Sequence, residues 1–149
     1  MKNIILTSMI AALGVASAAA EENAAGKAAY VTCSACHNAD GKGLPIGDKK
    51  MAPSLAGSKV VNGDPAVLAL VIMKGIKKEG AEYMGVMAPL EALYADNQKF
   101  ADVLTYVRQS FGNTASAVTA EDVAKFREQW KDEKDPVTRA KLAELEKKK

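Results

Sequence analysis

The clearest apolar stripe of the chain lies between residues 96 and 112. Its large apolar side chains recur at helical spacing: Phe100, Val103, Leu104, Val107 and Phe111. Asp96 precedes the stripe as a candidate N-cap, and Gly112 follows it as a stop signal. The pattern predicts an amphipathic helix that buries one face and ends at Gly112.

A second helix is predicted over residues 66–74, which are almost wholly apolar. Asp64 and Pro65 supply an N-cap and a proline at the first helical position, and Gly75 stops the helix. Because polar residues are nearly absent, this helix should be buried on most sides. A loop with several glycines then leads from Gly75 to about residue 95.

The first part of the chain beyond residue 23 also divides into a helix and a loop. Residues 24–32 are small and helix-compatible, with Gly26 and Tyr30 on one helical face. Residues 38–62 lack periodicity and contain repeated Gly and Pro. No segment alternates long enough between apolar and polar residues to indicate a strand. The pattern therefore predicts an all-α domain whose long loops pack on something other than a sheet.

The C-terminal segment begins with a capping-box spacing at Thr119 and Asp122. Three apolar residues then share one helical face: Val123, Phe126 and Trp130. They predict a helix over 120–131 whose apolar face packs back onto the domain, which is favoured, or onto a partner protein. Asp135 and Pro136 repeat the cap-and-proline start before a Lys- and Glu-rich end that we expect to be only partly ordered.

Residues 1–20 are typical of a secretory signal peptide. A basic residue, Lys2, precedes an apolar run at 4–16 and a small-residue cleavage site that ends at Ala20. The run is too short to span a bilayer, and no cysteine follows it that could carry a lipid. We expect export to the periplasm and a mature protein without a membrane anchor.

Composition limits the remaining possibilities. Removal of residues 1–20 from the chain of 149 leaves 129 residues, enough for one domain at 21–112 with a helical extension at 113–149. The whole chain has 20 Lys and Arg against 18 Asp and Glu, a formal net charge of +2. This balance gives no support for nucleic-acid binding, which needs a strongly basic face.

The candidate chemistry lies in one short motif, Cys33-Ser34-Ala35-Cys36-His37, which contains both cysteines and the single histidine of the chain. At C-x-x-C-H spacing, two thiols attach to the vinyl groups of a haem and the histidine ligates its iron. A structural zinc site needs four ligands and is disfavoured. A thioredoxin-like dithiol is the stronger alternative, but it expects a βαβ pattern that this sequence lacks. Haem would also supply the surface on which the long loops pack.

Residues 24–112 resemble the class I monohaem cytochromes c, particularly the small bacterial periplasmic type. The elements occur in the family's order: Gly26 and Tyr30, the haem motif, Ala52-Pro53-Ser54-Leu55, Met87-Ala88-Pro89, and the helical run 103–108. The resemblance implies the class I cytochrome c fold, with helices and long loops wrapped around one covalent haem c. It also implies that the first and last helices of the domain cross where Gly26 and Tyr30 meet Val103 and Tyr106.

The resemblance assigns roles around the haem. Cys33 and Cys36 would hold it covalently, and His37 would be the proximal iron ligand. The backbone carbonyl of Pro53 would accept a hydrogen bond from the other imidazole nitrogen, which fixes the orientation of the ring. Leu55 would pack on the haem face.

The distal ligand is expected to be a methionine, because the chain has no second histidine. Met87, two residues before Pro89, matches the family's distal methionine better than the alternative, Met84. The family's tryptophan that bonds a haem propionate has no counterpart in the domain. Tyr83 or Lys59 is the candidate for that role.

A haem with both axial positions filled by His and Met has no open position for substrate and a potential suited to electron transfer. The resemblance therefore implies a soluble periplasmic electron carrier, not an enzyme. Its partners would be redox proteins, such as a dehydrogenase or a membrane-bound oxidase or reductase.

A group of lysines could steer an acidic partner: Lys49, Lys50, Lys74, Lys77 and Lys78. Two alternatives stay open beside the carrier. One is a dedicated cytochrome subunit of a periplasmic dehydrogenase or terminal oxidase complex, attached through Phe126 and Trp130. The other is a ligand-binding or peroxidatic haem protein.

Overall fold

The computed structural model describes residues 24–147, which form helices joined by long irregular segments. Residues 24–29 form helix α1. Six further helices follow: α2 (Val31–His37), α3 (Lys59–Asn62), α4 (Pro65–Lys74), α5 (Asn97–Gln109), α6 (Ala120–Gln129) and α7 (Arg139–Lys147). Among these residues the only sheet is a short antiparallel pair, β1 (Pro45–Ile46) and β2 (Lys49–Lys50), with Pro45 opposite Lys50. The predicted all-α class is confirmed.

Two features of the sequence prediction concern membranes. The predicted signal peptide at 1–20 lies outside the described residues. Within residues 24–147, none of the helices has the length and apolar content needed to cross a bilayer.

Helices α4 and α5 begin where their caps predict. The Asp64 carboxylate accepts a hydrogen bond from the Ala66 amide at 2.8 Å, and Pro65 occupies the first helical position. The Asp96 carboxylate accepts from the Lys99 amide, also at 2.8 Å. As predicted, the apolar residues of α4 are buried from Ala66 to Met73. These starts are local features, because the capping side chain lies within three residues of the amide that it satisfies.

The predicted end of α5 is wrong. The helix stops at Gln109, and Phe111 takes a left-handed backbone conformation with φ 60°. This turn removes Phe111 from the helical stripe and places its ring 5.3 Å from the Tyr30 ring, centroid to centroid. The ring also packs against Gly41, where an added Cβ would lie 2.6 Å from it. Aromatic packing between distant segments therefore decides where the helix ends.

Helices α1 and α5 cross at the predicted small-residue contact. A Cβ added at Gly26 would lie 2.4 Å from the Asp102 carbonyl oxygen and 2.6 Å from the Tyr106 Cβ. The rings of Tyr30 and Tyr106 pack beside this crossing with centroids 5.3 Å apart. Val103 is fully buried in the same core. The crossing sets the position of α2, which continues directly from α1.

Helix α6 packs on α4 and α5, which confirms the favoured prediction for the C-terminal segment. Its capping box joins Thr119 and Asp122, and Val123 is fully buried. The Trp130 indole N–H donates to the Ala66 carbonyl at 2.8 Å. Phe126 packs against the main core. Phe126 and Trp130 are both half-buried, so the chain itself covers much of the face that was the candidate for attaching a partner.

Helix α7 begins later than Asp135 and Pro136 predict. Val137 is extended, and its amide donates to the Gly75 carbonyl at 3.0 Å while its carbonyl accepts from the Lys77 amide at 2.9 Å. The Thr138 hydroxyl then accepts from the Lys141 amide at 3.1 Å and starts the helix. Because Val137 pairs with the loop after α4, α7 begins only at Arg139. The Lys- and Glu-rich end is helical to Lys147 and packs on α4.

Candidate haem site

One helix carries the whole C-x-x-C-H motif. Cys33, Cys36 and His37 lie on α2 at spacings of three and four residues, which place them on the same side of a helix. Both cysteines are half-buried and are not joined by a disulfide. The Cys33 Sγ lies 3.4 Å from the Tyr94 hydroxyl, which donates to the Ala29 carbonyl at 2.9 Å. Burial raises the pKa of the Cys33 thiol.

The His37 imidazole is oriented by a backbone acceptor. Its Nδ1–H donates to the Pro53 carbonyl at 3.0 Å, and the residue is buried. Burial lowers the pKa of His37, and the bond to Pro53 opposes that shift. The neutral ring with its proton on Nδ1 has a free lone pair on Nε2, which is the form that ligates a metal.

The motif opens into a largely apolar cavity of about 440 Å³. Its walls come from α2, the loop after β2, helices α3 and α4, the loop at 83–90, and α7. All the residues predicted to form the haem site, apart from the alternatives Met84 and Lys59, line it: Cys33, Cys36, His37, Pro53, Leu55, Tyr83 and Met87. Two thiols, an imidazole with a free nitrogen, a thioether and apolar walls are the donor set and surroundings that a covalent haem requires.

The two candidate distal methionines differ in position. Met87 is half-buried, lines the cavity and packs against the buried residues of the main core and of a second cluster that joins α4 to Val137 and Leu142. Met84 is 51% exposed and does not line the cavity. The amides of Met84 and Gly85 donate to the carbonyls of Lys50 and Met51 at 2.9 and 2.8 Å. This pairing attaches the loop to the end of β2.

The backbone at Met87 is fixed by a close approach to Gly75. The Met87 carbonyl accepts from the Ile76 amide at 2.8 Å. A Cβ at Gly75 would lie 2.3 Å from the same carbonyl oxygen, and Gly75 has φ 72°. The glycine that stops α4 therefore also permits the loop to approach, which no pattern in the sequence indicated.

Tyr83 and Lys59, the two candidates for a propionate contact, are separated in space. Tyr83 lines the cavity and forms a bridge with Lys50 of β2. A hydrogen bond with Glu82 raises the pKa of Tyr83. Lys59 instead lines a separate groove.

Sequence reasoning missed several residues at the cavity. Met51 is not among the predicted site residues, yet it lines the cavity. Arg139, Leu142 and Glu146 of α7 line it as well. Their spacing of three and four residues on one helical face was visible in the sequence, but nothing indicated what that face contacts. Tyr94 does not line the cavity but contacts Cys33 Sγ, and no sequence pattern indicated that contact.

Not every lysine that was predicted to steer an acidic partner is available at the surface. Lys74 is only 13% exposed at its side chain and forms an ion pair with Glu91 at 2.6 Å. The Lys78 ammonium donates to the carbonyls of Tyr83 and Met84 at 3.1 and 2.9 Å and so holds that loop. Lys74 is therefore removed from the surface that could steer a partner.

An all-helical frame with a C-x-x-C-H motif facing an apolar cavity, and with the motif's histidine held by a backbone carbonyl, defines a c-type cytochrome. Comparison with known proteins agrees. A family model described as Cytochrome c matches residues 23–111, more than half of the chain, and the chain belongs to that family. Its cofactor is accordingly a covalently bound haem c with iron.

Similar proteins of two kinds are found. The chain is 34% identical over 108 residues to the cytochrome c subunit of a quinone alcohol dehydrogenase from Gluconobacter oxydans, covering 69% of this chain and 22% of that protein. It is 33% identical to a gluconate 2-dehydrogenase cytochrome c subunit from Pantoea cypripedii, covering 72% of this chain and 25% of that protein. It is 29% identical to cytochrome c-552 of Thermus thermophilus, covering 66% of this chain and 80% of that protein. The chain thus spans about a quarter or less of the length of the dehydrogenase subunits.

Proposed function

We propose that the chain is a periplasmic electron carrier with one haem c, held by Cys33 and Cys36 and ligated by His37 and Met87. The observation that carries this proposal is the hydrogen bond from His37 Nδ1 to the Pro53 carbonyl. It leaves Nε2 as the ligating nitrogen in a cavity that Met87 also lines. When bound, the haem iron supplies a one-electron couple.

The chain's own residues determine how that couple is used. Pro53 keeps the imidazole of His37 in one orientation and tautomer. The backbone of the loop that contains Met87 is held at Gly75 and Ile76, which would limit movement of the thioether when the iron changes oxidation state. Apolar residues such as Leu55 exclude water from the cavity. If His37 and Met87 both ligated the iron, no position would remain open to a substrate, which would favour electron transfer over catalysis.

The signal-peptide composition of residues 1–20 supports export, with cleavage after Ala20. Redox proteins are the partners of such a carrier. We also propose, as a second function, that the chain serves as a cytochrome subunit of a dehydrogenase, because several of its relatives are named as such subunits. Purification of the native protein with its bound proteins separates a free carrier from a subunit.

The distal ligand provides the decisive experiment. Intact mass first verifies that the purified protein lacks residues 1–20 and carries one haem. Met87→Ala should then lose the Met-to-iron charge-transfer absorption, lower the reduction potential and allow carbon monoxide to bind the ferrous haem. Met84→Ala is the matched control and should change none of these, because Met84 does not line the cavity.

Three other results would each contradict part of the proposal. Reversed outcomes would make Met84 the ligand. An effect of Met51→Ala in place of Met87→Ala would assign the ligand to the other methionine that lines the cavity. Carbon monoxide binding by the unmodified ferrous protein would favour a ligand-binding or peroxidatic haem protein.

A further inference from the structure

Helix α7 forms an outer wall of the haem cavity. Arg139, Leu142 and Glu146 lie on one face of this helix, and all three line the cavity. Leu142 is buried and packs with Val67 and Val71 of α4 and with other apolar residues. The family match ends at residue 111, so this wall belongs to the segment that the family does not describe.

Helix α7 also supplies the charged side chains that line the cavity. Among the residues of 24–147 that line the cavity, Arg139 and Glu146 are the only Arg, Lys, Asp or Glu side chains. Both are exposed, with the buried Leu142 between them. A cation and an anion therefore stand at the edge of a cavity whose other walls are largely apolar.

The position of Arg139 is fixed by the strand-like contact before it. Val137 pairs on both sides with the backbone of the loop after α4, through Gly75 and Lys77. The Arg139 amide donates to the Glu79 carboxylate at 2.7 Å. The guanidinium has no ion-pair partner among residues 24–147. It lines a second, smaller cavity together with Tyr83, which also borders the haem cavity.

Haem carries two carboxylates, and a guanidinium is the side chain best suited to bind a carboxylate through two hydrogen bonds. We propose that Arg139 binds a carboxylate of the haem, so that the C-terminal extension both closes the cavity and adjusts the reduction potential. This inference rests on the proposed function. It assigns to Arg139 the role that sequence reasoning gave to Tyr83 or Lys59.

The test compares Arg139→Gln with Lys147→Gln by spectroelectrochemical titration of the holoprotein. Both changes remove one positive charge from α7, but Lys147 does not line the cavity. A unit charge roughly 10 Å from a redox centre, at an effective dielectric constant of about 40, changes the constant of the oxidation–reduction equilibrium about fourfold. Arg139→Gln should therefore shift the ferrous–ferric equilibrium about three- to fivefold toward ferric haem, which is about 30 to 40 mV lower in potential at 59 mV per tenfold.

Two conservative variants sharpen the comparison. Arg139→Lys keeps the charge and should stay within about twofold of the wild-type equilibrium. Glu146→Gln removes the anion of the same wall and should shift the equilibrium in the opposite direction. Both effects should fall as salt is added, and that of Lys147→Gln should be the smaller at every salt concentration, because Lys147 does not line the cavity whereas Arg139 does.

The outcomes separate this inference from the proposed function. If the wild-type protein lacks covalent, six-coordinate haem, the proposed function fails. If it has such haem but Arg139→Gln and Lys147→Gln shift the potential equally, only the role of Arg139 is overturned. Should Arg139→Gln not fold, Arg139→Met, which keeps the aliphatic stem, takes its place with the same expected shift.

Discussion

The crossing of α1 and α5 offers a sharp test of the fold, because a single added methyl group would force the two helices apart. In Gly26→Ala the new Cβ would lie 2.4 Å from the Asp102 carbonyl oxygen and 2.6 Å from the Tyr106 Cβ. A carbon and a carbonyl oxygen normally stay about 3.3 Å apart, so the helices must separate by about 0.9 Å at the crossing. Both obstacles are on or next to helical backbone, which cannot rotate away.

The expected cost combines two opposing effects. Overpacking of a core contact destabilises by about 1–3 kcal/mol. Replacing a glycine inside a helix with alanine recovers about 0.5–1 kcal/mol. The difference is a net destabilisation of up to about 2.5 kcal/mol and centred near about 1 kcal/mol, and each kcal/mol lowers the Tm of a domain of this size by roughly 3–6 °C.

Thermal unfolding of the holoprotein by circular dichroism measures this difference. The matched control is Gly80→Ala, where an added Cβ meets nothing within 4 Å and the backbone is not left-handed. That change should leave Tm unchanged or slightly higher, since alanine restricts the unfolded chain. An unchanged or raised Tm in Gly26→Ala would refute the reasoning, because the helices would then have room that the structure does not show.

Two further predictions concern the cofactor and the C-terminal extension. Cys33→Ala/Cys36→Ala should lose cooperative melting, because without haem the core contains a cavity of about 440 Å³; native-like helicity with a cooperative melt in circular dichroism would contradict this. Hydrogen bonds from the Thr119 amide and hydroxyl lower the pKa of Asp122. A lowered folded-state pKa stabilises the protein above the unfolded pKa, and the gain is lost as the pH falls through the folded pKa. Asp122→Ala should therefore lower Tm at pH 7 and have progressively less effect as the pH falls below the usual range of a carboxyl group, whereas the exposed control Asp132→Ala should change Tm little at pH 7.

Where the sequence predicted correctly, the signal was local. Asp64 and Asp96 lie within three residues of the amides that they cap, so the starts of α4 and α5 could be predicted without knowledge of the fold. The capping box at Thr119 is of the same kind. The C-x-x-C-H motif is also self-contained, because its chemistry depends on five consecutive residues.

Where prediction failed, the deciding contact joins residues far apart in the chain. Phe111 leaves α5 to pack on Tyr30, and Val137 stays extended to pair with Gly75. Neither partner can be recognised from the residues beside it, so the C-terminal end of α5 and the start of α7 were misplaced.

The sequence by itself determined the class of cofactor and the helical character of the domain, since both depend on residue types at short spacing. Only the tertiary structure decided that α7 forms a wall of the cavity and that Arg139 lies at its edge. It also placed Met87, and not Met84, in the cavity. The physical reason is that a helical face specifies which residues share a side, whereas the surface that this side covers depends on how the whole chain packs.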